Sequence, residues 1–297
     1  VLFGKRTVID LIIAAMVSEG HVLLEDFPGT GKTALARALS QSIRGVSQRI
    51  QFTPDLLPGD VTGITVYDQK KGTFAFHQGP IFANVVLADE INRASPKTQS
   101  ALLEAMEEAR VTIDGVTRST GSPFLVIATQ NPIEQAGTYR LPEAQLDRFM
   151  IKTSVGYPDN SSTVRILEGT AEAASDLKPV MSLDRILWMV EVARSAYIAE
   201  PVLDYIARLV EATRTAPQVK MGSSVRGARN LAKLSRTWAL SKGRSYVIPD
   251  DVKDIAESVL AHRIVIDPEA EFDGVTANAI IAQILLQTVP PAGTETE

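Results

Sequence analysis

The chain has 297 residues, more than one hydrophobic core usually organises, so two domains are expected. Hydrophobic residues make up 45%, charged residues 22%, and the net charge is −5, which argues against a nucleic-acid binder relying on bulk positive charge. There is no cysteine, which excludes a disulfide framework or thiolate metal site and suits a reducing, cytoplasmic setting. His21, His77 and His262 lie far apart, and a structural or solvent role is expected for each. The apolar stretch Leu11 to Val17 is far short of the ~20 residues of a membrane span and is flanked by Asp10 and Glu19. No basic leader before an apolar run reads as a signal peptide.

In chain order, Arg6 to Ser18 reads as an amphipathic helix and His21 to Leu24 as a short apolar run. A Pro/Gly turn follows, then a helix from Lys32 to Gln41 and a strand at Arg49 to Phe52. Val85–Ala88 and Phe124–Ala128 are apolar runs of the kind buried on both faces of a parallel sheet, with a helix, Pro96–Ala109, between them. Two hairpins interrupt the alternation. Ile64–Tyr67 pairs with Thr73–His77 around a polar turn, and Val111–Ile113 pairs with Val116–Arg118 around Asp114-Gly115. The expected fold is α/β: a parallel sheet with helices on both faces and its site at the C-terminal strand ends.

After Gly156-Tyr157-Pro158-Asp159 the pattern becomes helical, with few strand-like runs. Pro201–Arg214, Val225–Ser241 and Asp250–His262 are the clearest helices, with Asp250 placed as an N-cap. Trp188 and Trp238 fall within apolar helical stripes and are expected in the core. The expected domains are 1–157, an α/β core, and 158–297, a smaller all-α domain. The polar tail from about 290 is expected to be disordered.

The strongest chemical signal is Pro28-Gly-Thr-Gly-Lys-Thr33, between an apolar strand and a helix. A phosphate is held best by converging backbone N–H groups, a helix N-terminus and one long cation. The candidate nucleotide contacts are Pro28, Gly29, Thr30, Gly31, Lys32, Thr33 and Ala34, with Lys32 on the β/γ-phosphates and Thr33 on Mg²⁺. The strict pattern has a glycine where this chain has Asp26, so Asp26→Gly should keep or tighten ATP affinity. Val85-Val-Leu-Ala-Asp89-Glu90 delivers two acids from a strand end: Asp89 for Mg²⁺ and Glu90 to polarise the attacking water. Asn131, after the third apolar run, could hydrogen-bond water and γ-phosphate. Turn chemistry at Asn131-Pro132 is the alternative.

Together these residues resemble the AAA+ superfamily and, within it, the MoxR family. The resemblance is carried by Leu23 to Thr33, Ala88 to Glu108, Ala128 to Pro132 and Leu141 to Phe149. Gly222-Ser-Ser-Val-Arg226 and Leu260-Ala-His-Arg263 also look like the family pattern. The resemblance implies a RecA-like core, a helical lid and a hexameric homo-oligomeric ring with ATP between subunits. It places sensor 1 at Asn131, sensor 2 at Arg226 and an arginine finger at Arg148, donated to the neighbouring subunit. A structural salt bridge of Arg148 to Asp147 or Glu143 is the alternative. Arg140 and Val225 stand where the family usually has proline, which makes Arg140 a rival interface cation. The hairpins match ring-pore elements, so Lys70, Lys71 and Phe74 could touch a client or simply be solvated.

The function implied is Mg·ATP hydrolysis driving remodelling or maturation of protein complexes with a von Willebrand factor A (VWA) domain partner. A magnesium-chelatase-like motor is the neighbouring alternative. A nucleic-acid machine is disfavoured by the charge, and a GTPase by the lack of an N-K-x-D motif.

Overall fold

The computed structural model describes residues 4–26, 29–131, 138–168 and 177–291. Pro28, Pro132 and the tail from 292 lie outside them. The chain forms two compact units, residues 1–148 with 153–188, and residues 149–152 with 189–297.

In the first unit, α1 (Arg6–Val17), β1 (Val22–Glu25) and α2 (Lys32–Ser42) lead into β2 (Ile43–Arg44) and β3 (Ser47–Gln51). Next come α3 (Pro58–Thr62), β4 (Gly63–Asp68), β5 (Thr73–Gln78), β6 (Val85–Asp89) and α4 (Pro96–Glu108). The unit continues with β7 (Arg110–Ile113), β8 (Val116–Ser119), β9 (Leu125–Gln130) and α5 (Glu143–Leu146), and then with β10 (Ile151–Thr153), whose first two residues are counted with the second unit. It ends with α6 (Asn160–Leu167), β11 (Met181–Ser182) and the helix α7 (Leu183–Ser195), which runs on into the second unit.

The central sheet has five strands in the order β10-β1-β9-β6-β3. The pairs β1/β9, β9/β6 and β6/β3 are parallel. Every residue of β6 is buried, and so are Leu125–Thr129 of β9. Successive strand side chains point to opposite faces, so unbroken burial means both faces of the sheet are covered, as the apolar runs predict. The parallel register carries Glu25, Asp89 and Gln130 to the same end of the sheet. His21 pins this core: its Nε2 donates to Met106 O at 2.9 Å, and its Nδ1 accepts the Val126 N–H at 3.0 Å.

The predicted hairpins form as β4/β5 and β7/β8. At the second turn Asp114 and Gly115 have φ of 52° and 76°, the pair of left-handed residues a two-residue hairpin requires. Helix α4 begins at Pro96, capped by Ser95, whose Oγ accepts the Thr98 N–H at 3.4 Å.

The second unit holds α8 (Glu200–Thr215), β12 (Val219–Met221), α9 (Val225–Ser241), α10 (Pro249–Leu260), β13 (Val265–Ile266), α11 (Pro268–Phe272) and α12 (Ala277–Gln287). Its core is built from Tyr205, Leu209, Leu231, Leu234, Ile255 and Val259, all fully buried at helical spacing.

Three expectations are corrected here. Helix α10 is capped by Ile248, not Asp250, because Pro249 takes the first helical position, where its missing N–H costs nothing. Asp251 then reaches back to accept the Ile248 N–H at 2.9 Å while holding Arg244 through both carboxylate oxygens. Neither tryptophan is in the core. Trp188 is 52% exposed under Arg185, and Trp238 is half-buried with its Nε1 donating to Asp254. The helical half also contains short strands, β12 paired with β13.

Candidate functional site

The site is assembled at the C-terminal ends of β1, β6, β9 and β3. After β1 the chain turns through Gly29 and Gly31, with φ of 83° and 89°. Both values lie in the left-handed region that glycine adopts without penalty. Among the described residues, a Cβ on Gly29 would meet nothing within 4 Å, which leaves open space at the turn before α2. Gly31 is the N-cap of α2, and Lys32 and Thr33 are its first residues. Backbone N–H groups at a helix start have no intrahelical acceptor and suit an anion.

Lys32 is folded onto its own loop, its Nζ donating to Asp26 O at 2.5 Å. Burial lowers its pKa, against the raising influence of the Asp26, Asp89 and Glu90 charges. A partly desolvated cation over an open glycine turn fits a phosphate.

Asp26 itself is 7% exposed, and its carboxylate is fully engaged. Oδ2 accepts the Val155 N–H, and Oδ1 accepts the Gly156 N–H at 3.1 Å. The acid in place of the usual glycine is therefore a tie between the exit of β1 and the segment after β10. Charge-assisted hydrogen bonds of this kind are worth about 1.5–3 kcal/mol each. Asp26→Gly should lower the free energy of unfolding by about 2–4 kcal/mol in urea titrations, with ATP affinity of the folded protein retained. An unchanged urea midpoint would contradict the tie.

Asp89 ends β6 and is 7% exposed. Thr129 Oγ1 donates to its Oδ1 at 2.6 Å. Its Oδ2 lies 3.3 Å from Thr33 Oγ1 and accepts from Arg49 Nη2 at 2.7 Å. Thr33 and Asp89 thus bring a hydroxyl and a carboxylate side by side, the hard oxygen donors that suit Mg²⁺ and leave its other positions to phosphate and water.

Glu90 follows in the left-handed region, φ 56°. Non-glycine residues held there are strained and recur at functional sites. Its N–H donates to Thr129 Oγ1 at 2.9 Å. Its Oε2 receives Gln51 Nε2 at 3.2 Å and Arg93 Nη1 at 3.0 Å.

Asn131 follows β9, and its backbone carbonyl accepts Asn92 Nδ2 at 3.3 Å. Arg148 is part-buried and pairs with Glu107 Oε2 at 3.4 Å, near the end of α4, rather than with Asp147 or Glu143. Arg140 is exposed. Arg226 lies in the second unit, in the first turn of α9, where Ser224 Oγ accepts its N–H at 3.1 Å.

Thr129, Arg49 and Gln51 were not read as site residues from the sequence. Each had a faint signal. Thr129 sits beside Asp89 once β9 and β6 pair in register, and Arg49 and Gln51 alternate with buried Ile50 on β3, so both share one face.

Comparison with known proteins gives the family. Residues 21–151 match the ATPase family associated with various cellular activities (AAA), and residues 211–284 match the AAA lid domain. Fold and site together define an AAA+ ATPase. The chain is 47% identical to the uncharacterized protein YeaC of Bacillus subtilis, over 96% of this chain and 90% of that one. It is 40% identical to chaperone MoxR1 of Mycobacterium tuberculosis, over 97% and 79%. A crystal structure of a Cytophaga hutchinsonii protein described as a candidate ATPase superposes with a TM-score of 0.91 at 39% identity, covering 98% of this chain and 92% of that one. The chain belongs to the MoxR family of AAA+ ATPases.

Proposed function

We propose that this protein hydrolyses Mg·ATP in a homo-oligomeric ring, a hexamer, and uses the cycle to remodel or mature protein complexes with a VWA-domain partner. The observation that carries the hydrolytic part is the pair Asp89 and Glu90, set at one strand end beside Thr33. Gly29 to Ala34 hold the phosphates through their N–H groups and the Lys32 ammonium. Thr33 and Asp89 would hold Mg²⁺, which would supply neutralisation of the phosphate charge. Glu90 orients the attacking water and takes its proton, and Asn131 fixes water and γ-phosphate. Arg226 and, from the adjoining subunit, Arg148 stabilise the charge that spreads over the γ-phosphate oxygens in the transition state.

The remodelling role rests on kinship with a chaperone, and the VWA partner on the family resemblance. Among the described residues no helix is long and apolar enough to cross a membrane. Dilution tests the in-trans part. Turnover per subunit should rise with protein concentration and level off when light scattering reports assembly. Constant turnover through disassembly would remove the cation in trans.

A further inference from the structure

The turn Leu260-Ala-His-Arg263 has no task in the mechanism above, yet it ends in two buried polar side chains, His262 at 8% and Arg263 at 6% exposure. Arg263 Nη1 donates to Met150 O at 3.2 Å and to Val259 O, and Nη2 donates to Phe149 O. His262 Nε2 lies 2.8 Å from Arg263 Nη1. The same Nε2 lies 3.2 Å from Phe149 O, so the imidazole sits in the cluster of carbonyls that Arg263 holds. Burial, then the Arg263 charge, holds the His262 pKa well below the ordinary imidazole range, so the ring is neutral. Phe149 and Met150 are themselves buried and belong to the same compact unit as this turn.

The stem of Arg263 passes the start of α9. A methyl added at Gly227 would stand 3.0 Å from Arg263 Cδ, and Gly227 directly follows Arg226. One side chain therefore lies against the first turn of the helix carrying Arg226 and grips the two residues that directly follow Arg148. Satisfying two backbone carbonyls does not require a buried charge. What a guanidinium adds is a rigid fork that fixes successive carbonyls in one geometry, which a flexible ammonium cannot do.

We propose that Arg263 is a positioning residue for Arg148: it locks the Phe149–Met150 backbone to the start of α9, so that Arg148 is presented from a fixed point. This rests on the reading of Arg148 as the cation acting on a neighbour's ATP. A misplacement of about 1 Å in such a group can cost about 10²-fold in rate.

Mixed rings separate this from a merely structural role. Glu90→Gln subunits cannot hydrolyse but can donate Arg148. Arg148→Ala subunits can hydrolyse but need a donated cation. The mixture should turn over ATP well above either alone. Arg263→Lys is then placed either in the Glu90→Gln donor or in the Arg148→Ala acceptor. Melting curves and binding of a fluorescent ATP analogue confirm that each variant is folded and loaded.

The expected result is a fall of about tenfold or more with the donor variant and less than about threefold with the acceptor variant. His262→Leu, which keeps Arg263 but removes the imidazole packed against its guanidinium and Phe149 O, should act in the same direction by a smaller factor. It takes over the test if Arg263→Lys melts below the assay temperature. Equal losses on both sides, a larger loss on the acceptor side, or no loss in an active mixture would overturn the positioning role. A mixture without recovered turnover would instead overturn the in-trans reading of Arg148, and this proposal with it.

Discussion

Glu90→Gln is expected to lower kcat for ATP by about 10²–10³-fold while leaving nucleotide affinity within a few-fold. The glutamate directly follows the fully buried strand β6, in a strained backbone conformation, with its N–H fixed by Thr129 and one carboxylate oxygen shared by Gln51 and Arg93. The amide keeps the volume and one oxygen acceptor but cannot take a proton from water. General-base assistance is worth about 10²–10⁴-fold, so the loss should fall on the chemical step. The phosphate cradle lies on another loop and keeps its contacts, so binding survives. Single-turnover kinetics with a fluorescent analogue separates the two quantities. Unaltered kcat would mean that another group activates the water.

Arg148→Ala is expected to cost about 10³-fold in kcat, equivalent to roughly 4 kcal/mol of transition-state stabilisation. The rival explanation is that Arg148 only pairs with Glu107. That pair is part-exposed, at 29% and 43% of the side chains, and such contacts are worth about 0–1 kcal/mol. The two readings therefore predict losses of different size and kind. A finger removes turnover and leaves the melting curve nearly unchanged, whereas a bare salt bridge gives a small stability loss and normal turnover. Glu107→Gln decides further: it breaks the ion pair but keeps the guanidinium, so turnover should be retained. Comparable losses from both substitutions would favour the ion pair.

The parallel core was readable because its signals are local. The runs Val85–Ala88 and Phe124–Ala128 have no polar alternation, and only a strand covered on both faces accepts that pattern. Asp114-Gly115 names its own hairpin through backbone chemistry alone. The Gly29 to Thr33 turn is equally local.

What escaped the reading depends on register or on the third dimension. Arg49 meets Asp89 only because β3 and β6 pair with Gln51 opposite Asp89. Arg263 meets Phe149 across more than a hundred residues. The helical period assigned Trp188 and Trp238 to apolar stripes, but a period gives the face of a helix and not whether another element covers it. Asp26 looked like an intrusion into a phosphate loop. Its purpose, holding the Val155 and Gly156 N–H groups, lies on a strand exit that follows much later in the chain.

Isothermal titration of Mg·ATP into the folded wild-type chain, repeated on Lys32→Ala, tests the central claim most directly. The geometry predicts a saturable heat for the wild type and its loss in the variant, whose circular dichroism and melting point stay close to the parent. No heat from well-folded wild type, or the same isotherm from both proteins, would contradict a triphosphate seated on Gly29 to Thr33.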